Sequence, residues 1–371
     1  METPSSSTAH TTGTGLSTRL TSRGMPMPSI SVVMAVHNAM PYLTDCLDGI
    51  GLQTFTDFEC IIVDDASTDA SSDFLKSAAN ADPRIRLLTN PDNIGLTRSL
   101  NRALKVASGK YIARIDADDI CRPARLKQQF HFMETHPEVV ACAAGYRMID
   151  AKSRKIRTSN RGMDNWQIQW MLSFNPPAPH PTYFFRRLDT LGLPVMYNED
   201  FLTAQDYELW SRLSKMGETF VLPEVLIDYR RHDKAITFAR RAEQAVNCSK
   251  IGRAHLKNRY PEHVQMEMSA LLDLFAYEAQ AEPGTIAAAV QGAESMLRFE
   301  KQGAAHHFAW IRRTTAGLLA DAILSRGGGA KNFRSFLAFV FFARRHLPWL
   351  LLEVVMEPAL ARKSLRSIFG R

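Results

Sequence analysis

No Cys-x-x-Cys pair occurs among the five cysteines of this 371-residue chain, Cys46, Cys60, Cys121, Cys142 and Cys248. Thiols scattered in this way exclude a zinc ribbon and a disulfide framework. They read as small apolar residues kept in a reducing compartment. The Ser/Thr-rich N-terminus lacks the apolar core of a signal peptide. No run reaches the roughly 18 uninterrupted apolar residues of a spanning helix. The catalytic part is therefore expected in the cytoplasm. No G-x-G-x-x-G follows the first apolar run and no G-x-x-x-x-G-K-[ST] occurs, which excludes a dinucleotide fingerprint and a P-loop. Acids are scarce at the C-terminal end. From Lys301 to Arg371 only Asp321, Glu353 and Glu357 stand against twelve Lys and Arg, an excess of nine in a chain whose whole net charge is +7.

What is present is an alternation of strands and helices. Residues 1–28 have little apolar content and no period, and are expected to be a disordered tail. Ile30–Val36 is a β-branched apolar run, as of a strand buried on both faces. A helical spacing follows (Leu43, Cys46, Leu47, Ile50), then a second strand at Phe58–Val63 and a helix over about 70–79. A third strand at Ile85–Leu88, a helix over 97–107 and a fourth strand at Tyr111–Ile115 complete the series. Such alternation predicts a parallel sheet with right-handed crossovers, whose ligands bind beyond the carboxyl ends of the strands. Polar clusters lie at three of those ends: His37-Asn38, Asp64-Asp65 and Asp116-Ala117-Asp118-Asp119.

The last of these is the most informative. Asp-x-Asp on a rigid strand tip offers two hard oxygen donors, suited to Mg²⁺ or Mn²⁺ shared with nucleotide phosphates. A strand-to-helix loop in which Asp118 or Asp119 only caps the next helix is the other reading. Asp119 is expected to begin the loop and cap the helix near Pro123.

Several motifs in order then resemble the inverting glycosyltransferases of family 2. They are Ser31-Val32-Val33-Met34-Ala35-Val36-His37-Asn38, Gln53-Thr54-Phe55, Phe58 through Asp69, Asn93-Ile94-Gly95-Leu96, Ile115 through Asp119, and Gln205-Asp206-Tyr207-Glu208-Leu209-Trp210. The resemblance runs over roughly 29–235. It implies an α/β fold of GT-A type: a Rossmann-like, mostly parallel central sheet flanked by helices, with a C-terminal all-helical extension over 236–371. It also implies a nucleotide-diphospho-sugar donor (UDP-linked in expectation), Mg²⁺ or Mn²⁺, a glycan or lipid-linked acceptor, and inversion at the anomeric carbon. Cell-surface polysaccharide synthesis is the implied setting.

By position in the family's motifs, Ala35, Val36, His37 and Asn38 hold the nucleobase and ribose, with His37 where the family has an aromatic. Asp65 contacts the base, while Asp64 caps its turn. Arg98 either reaches a donor phosphate or is a solvated helix residue. Asp116 and Ala117 lie near the ribose, and Asp118 is the direct metal ligand, with Asp116 and His232 as the further candidates. The basic residues of Tyr229-Arg230-Arg231-His232 can approach the diphosphate. His180 and Trp210 mark the acceptor region. Asp206 is the base that takes the acceptor hydroxyl's proton, because a carboxylate within hydrogen-bond reach of that hydroxyl suffices. Glu208, two residues on, faces elsewhere.

In the second half, Val139–Ala143 reads as a buried strand and 163–172 as an amphipathic helix whose Trp166 and Trp170 are core residues. The four prolines of 175–182 are expected to exclude helix there. From about Phe238 the pattern is helical. Apolar blocks with Arg344-Arg345 and Trp349 over 333–357 fit peripheral contact with the cytoplasmic face of a membrane, or a hairpin packed on the catalytic domain. Nucleic acid is not an expected partner. A non-catalytic nucleotide-sugar-binding or scaffold protein of a glycan-assembly complex is the alternative function.

Overall fold

The computed structural model describes residues 27–232, 241–275, 283–303 and 306–324. Nearly all of the expected N-terminal tail, and the 333–357 tract with its membrane expectation, lie outside the described residues.

Four parallel strands open the chain: β1 (Ile30–Val36), β2 (Phe58–Asp64), β3 (Ile85–Thr89) and β4 (Tyr111–Arg114). Helices α1 (Leu43–Gly51), α2 (Ser71–Ala81) and α3 (Leu96–Val106) make the crossovers. Each helix follows from its period. In α3, Leu100, Ala103 and Leu104 are buried on one stripe, as an amphipathic helix on a sheet requires. The register places Val36 beside Asp64 and Asp64 beside Thr89, so the strands end together and their loops share one rim. Gly109 lets β4 lie close on β1, because a Cβ there would stand 2.5 Å from the Ser31 amide nitrogen.

The rest of the unit is β5 (Ile120–Cys121), α4 (Arg125–Thr135), β6 (Val139–Ile149), β7 (Lys155–Ser159), α5 (Asn165–Met171), a 3₁₀ turn at His180–Thr182, β8 (Phe184–Arg186), α6 (Gln205–Leu213) and β9 (Glu218–Arg230). The sheet order is β3-β2-β1-β4-β8-β6-β9-β5, with β7 paired to β6. Two features of this order position the site. β8 runs antiparallel between β4 and β6, which carries the His180 turn to the end of β4. β9 pairs with β6 and also, antiparallel, with the short β5, Ile120 opposite Asp228. The end of β9 is thereby returned to the acidic loop after β4.

Two expectations change. β6 continues to Ile149 because β9 supplies a partner along its length. His180–Thr182 forms one helical turn despite Pro181, since proline at the start of a turn forfeits no hydrogen bond.

Buried side chains fill both sheet faces. Ile30, Val32, Met34, Leu43 and Leu75 lie in one cluster, and Val33, Leu100, Ile168 and Trp210 in the other. The chain then becomes helical: α7 (Arg241–Arg259), α8 (Glu262–Glu267), α9 (Ser269–Phe275), α10 (Pro283–Gly303) and α11 (Phe308–Leu324). These helices share a third apolar cluster with Trp170 and Phe174, including Leu271, Val290 and Ile311. Trp166 stacks on His307 at 4.2 Å. Both tryptophans are thus packing residues, and the helical extension sits on the catalytic unit through α5. Among the described residues no helix is long and apolar enough to cross a membrane.

Candidate active site

The rim is built from loops that tie to one another. Asn38, just past β1, takes a left-handed φ of 52°. Its side-chain oxygen accepts from the Thr68 and Asp69 amides at 2.7 and 3.2 Å, which joins the loops after β1 and β2. His37 is exposed, with Nδ1 2.8 Å from the Asp65 carbonyl, an acceptor. Nδ1 therefore carries the proton, and Nε2 is the acceptor nitrogen. Ala35 is partly buried and Val36 fully so.

Asp64 accepts from the Ser67 amide at 3.1 Å, the turn-capping role expected of it. Asp65 is buried and spends both oxygens on the next loop. Oδ1 accepts from Asn90 Nδ2 at 2.7 Å and the Ile94 amide at 2.9 Å, and Oδ2 from the Gly95 amide at 2.8 Å. Arg98 lies half exposed on α3, 3.4 Å from Glu199 in a solvent-accessible ion pair.

The acidic loop after β4 is the electrostatic centre. Ligand oxygens of Asp116, Asp118 and Asp119 all lie within 4.8 Å of one another. Asp116 is paired with the guanidinium of Arg114, itself almost wholly buried on β4. Asp118 Oδ2 is 2.8 Å from His232 Nε2. Burial, and then the charge of Asp116, push the Asp118 carboxyl above its ordinary range, with His232 acting against them. Burial and the charge of Asp118 hold Asp119 well above it. Carboxylates crowded in little solvent gain from a cation, and hard oxygen donors with one imidazole suit Mg²⁺ or Mn²⁺. The buried His232 Nδ1 has no partner among the described residues. Ala117, between the acids, is buried.

Asp119 does not cap α4. Its Oδ1 accepts from the Arg230 amide at 2.6 Å, 111 residues away, and α4 starts at Arg125 without a side-chain cap. The reason is β9: its end lies against the loop and offers an amide closer than the helix does. The Arg230 side chain is likewise engaged inside the fold rather than free for a ligand. It is 2% exposed. Its Nε donates to the Asp118 carbonyl at 2.8 Å, Nη1 to Ser153 Oγ at 2.8 Å and Nη2 to Asp45 at 3.0 Å. It is a latch that holds the acidic loop to β9 and α1.

Asp206 is the second residue of α6, whose entry bends through Ala204 at a φ of 58°. Burial pushes its carboxyl up, the Arg114 charge pulls it down and Asp116 pushes it up further. The same Arg114 charge bears on His180, which burial holds well below the ordinary imidazole range. His180 Nε2 sits 2.6 Å from the Tyr197 hydroxyl. Glu208, the weaker candidate, is paired with Arg212 at 3.0 Å. Trp210, expected in the acceptor region, is fully buried with its ring 4.4 Å from Tyr183. It is a core residue, because it lies one turn beyond Asp206 on the face of α6 that meets the sheet. His180 is also buried, with its imidazole engaged by Tyr197.

The sequence reading overlooked Arg114, Asn90 and Tyr197. Arg114 carried a signal: a charge inside the apolar strand Tyr111-Ile112-Ala113-Arg114 must find a buried partner. Asn90 and Tyr197 carried none.

The mostly parallel sheet, flanked by helices and carrying an acidic strand end, has the architecture of the GT-A class. Residues 31–203 match the model of glycosyl transferase family 2. The chain is 31% identical over 211 residues to the O-antigen biosynthesis glycosyltransferase WbnJ of Escherichia coli, covering 56% of this chain and 81% of that one. The chain belongs to glycosyl transferase family 2 and is a glycosyltransferase. In fold it is similar to S. aureus TarS in complex with UDP-GlcNAc, with a TM-score of 0.55, 14% identity and coverage of 87% and 92%. It is also similar to the mannosyltransferase PcManGT of Pyrobaculum calidifontis in complex with GDP-Man and Mn²⁺, with a TM-score of 0.50, 18% identity and coverage of 85% and 88%.

Proposed function

We propose that this enzyme transfers a sugar from a nucleoside-diphosphate donor, UDP-linked, to a hydroxyl of a glycan or lipid-linked acceptor, with inversion and with Mg²⁺ or Mn²⁺. The observation that carries the reading is the placement of Asp206. It lies close enough to Arg114 and Asp116 to feel both charges, which supports a base standing beside the acidic loop. Burial that raises a carboxyl makes it a stronger proton acceptor near neutral pH.

The donor's diphosphate lies by Asp118 and His232, its ribose by Asp116 and Ala117, and its base by His37, Asn38 and the Asp65 loop. A divalent ion held by Asp118 and His232 would supply positive charge against the departing diphosphate. Asp206 accepts the proton of the acceptor hydroxyl. The oxygen bonds to the anomeric carbon from the face opposite the diphosphate, and the carbon–oxygen bond to phosphate breaks. His180 and Tyr197 form a neutral hydrogen-bonded pair.

The setting we infer is cell-surface polysaccharide synthesis, as the name of the E. coli relative suggests. The enzyme would act at the cytoplasmic face of a membrane, held peripherally through 333–357, a reading supported by the basic excess of the C-terminal region. A non-catalytic nucleotide-sugar scaffold is the second reading, and it requires neither Asp206 nor its raised carboxyl. A panel of nucleotide sugars incubated with Mn²⁺ and lipid extract tests the proposal. Transfer from one donor is expected. No transfer from any, together with no binding of nucleoside diphosphate, overturns it.

A further inference from the structure

The two acids of the Asp-x-Asp pair do not have equivalent surroundings. Asp118 faces the imidazole of His232 at 2.8 Å, a ring whose nitrogen can also ligate an ion. Asp116 faces a guanidinium that never loses its charge. Arg114 Nη2 donates to Asp116 Oδ1, and Nη1 lies in ion-pair contact with Oδ2. Both oxygens of Asp116 are engaged, while its side chain remains 30% exposed to the cleft. The Arg114 side chain is 1% exposed, its Nε and Nη1 have no hydrogen-bond partner among the described residues, and its backbone is fixed on both sides. Its amide donates to the Tyr183 carbonyl at 3.0 Å, and its carbonyl accepts from the buried Arg125 at 2.6 Å. A cation placed in the strand at this cost in desolvation has a rigid mount and one strong partner.

The geometry points to Arg114 as a positioning residue that divides the work of the pair: it holds Asp116 off the metal and aimed at the donor's ribose, leaving Asp118 with His232 to take the ion. The inference rests on the metal-dependent reading above and adds what enforces it. A guanidinium that donates to one carboxylate oxygen and lies in ion-pair contact with the other holds the carboxylate in place. It also offsets the negative charge of one of the carboxylates in the loop. Without it, Asp116 is a third oxygen ligand within reach of the same cation, and is no longer held for the donor.

The consequence is a pair of opposite changes, which damage to the fold does not produce. Calorimetric titration of the full chain with MnCl₂ alone, and with UDP at saturating Mn²⁺, reads both. Arg114→Met is expected to bind Mn²⁺ roughly tenfold more tightly, because a nearby positive charge is gone and a carboxylate is released. The same variant is expected to bind UDP roughly tenfold more weakly, as a lost charge-assisted contact implies. Combining it with Asp116→Asn removes the gain for Mn²⁺. Should Arg114→Met fail to fold, two variants carry the test. Arg114→Lys keeps the charge and loses the fork, so Mn²⁺ affinity stays near that of the natural protein while UDP affinity falls. Asp116→Asn alone weakens UDP and leaves Mn²⁺ affinity little changed. The inference is overturned if Asp116→Asn loses Mn²⁺ as severely as Asp118→Asn, or if Arg114→Lys and Arg114→Met weaken both ligands together. Absence of sugar transfer by the natural protein, with these binding results intact, overturns the transferase reading alone.

Discussion

His232 Nε2 stands 2.8 Å from Asp118 Oδ2, joining two residues 114 positions apart. The contact exists because β9 ends beside the acidic loop, and Tyr42 covers the imidazole at a ring separation of 5.1 Å. If the pair is the metal site, Asp118→Asn and His232→Ala each lower Mn²⁺ affinity by roughly tenfold or more, on the scale of losing one ligand or its orienting partner. Both are expected to leave the fold intact, because neither side chain belongs to the apolar clusters of the core. Calorimetry with circular dichroism checks the two statements together.

Asp119 has a different duty, and its variants separate structure from chemistry. Its buried Oδ1 accepts the Arg230 amide at 2.6 Å. Asp119→Ala strands that amide and is expected to cost about 2 kcal/mol, the scale of a lost hydrogen bond to an acidic group. Because the environment already holds the carboxyl well above its ordinary range, Asp119→Asn keeps the acceptor oxygen and mimics the protonated form. It should cost less than half as much. Denaturant midpoints of the two variants decide this, and equal costs contradict it.

His180 makes stability depend on pH with a definite sign. Burial and the Arg114 charge hold its imidazole well below 6.5 in the folded protein. The unfolded chain takes up a proton below about pH 6.5 and the folded chain does not, so stability is lost as pH falls through that point, by at most about 1.4 kcal/mol per unit. His255, held at about 4 by burial, contributes with the same sign. Asp206 and Asp118, whose carboxyls are raised, contribute with the opposite sign. The informative quantity is therefore a difference. Between pH 7.5 and 5.5 the melting temperature of His180→Gln should fall less steeply than that of the natural protein.

Gly109→Ala tests the approach of β4 to β1. The new methyl would stand 2.5 Å from the Ser31 nitrogen and 2.6 Å from the Ile30 carbonyl carbon, both backbone atoms that cannot swing aside. Overpacking of this kind costs about 1–3 kcal/mol. Because β4 carries Arg114 and leads into the acidic loop, nucleotide affinity should fall along with stability. A variant as stable as the natural protein contradicts the close approach.

Much of the fold was legible in the sequence because it is local. The apolar runs at Ile30–Val36 and Phe58–Val63 alternate with helical periods, and four parallel strands follow from that pattern. Asp116 and Asp118 were legible for the same reason: they sit at the tip of one of those strands. What was not legible depends on partners far along the chain. Asp119 reads as a cap until β9 brings the Arg230 amide to it. Arg230 reads as a phosphate ligand until its donors are found spent on Asp118, Ser153 and Asp45. Trp210 sits within a functional motif, yet the helix face that carries it is set by packing on Tyr183.

The central claim is that Asp206 is the base of a sugar transfer whose donor is held at the acidic loop. Its most direct measurement is transfer by Asp206→Asn beside donor binding by the same variant, with Mn²⁺ and the donor identified by screening. The account predicts that kcat falls by a factor of about 10² to 10⁴, the usual contribution of a general base, while affinity for the donor changes less than about threefold, below the tenfold that one lost contact brings. Transfer at the natural rate by Asp206→Asn contradicts it.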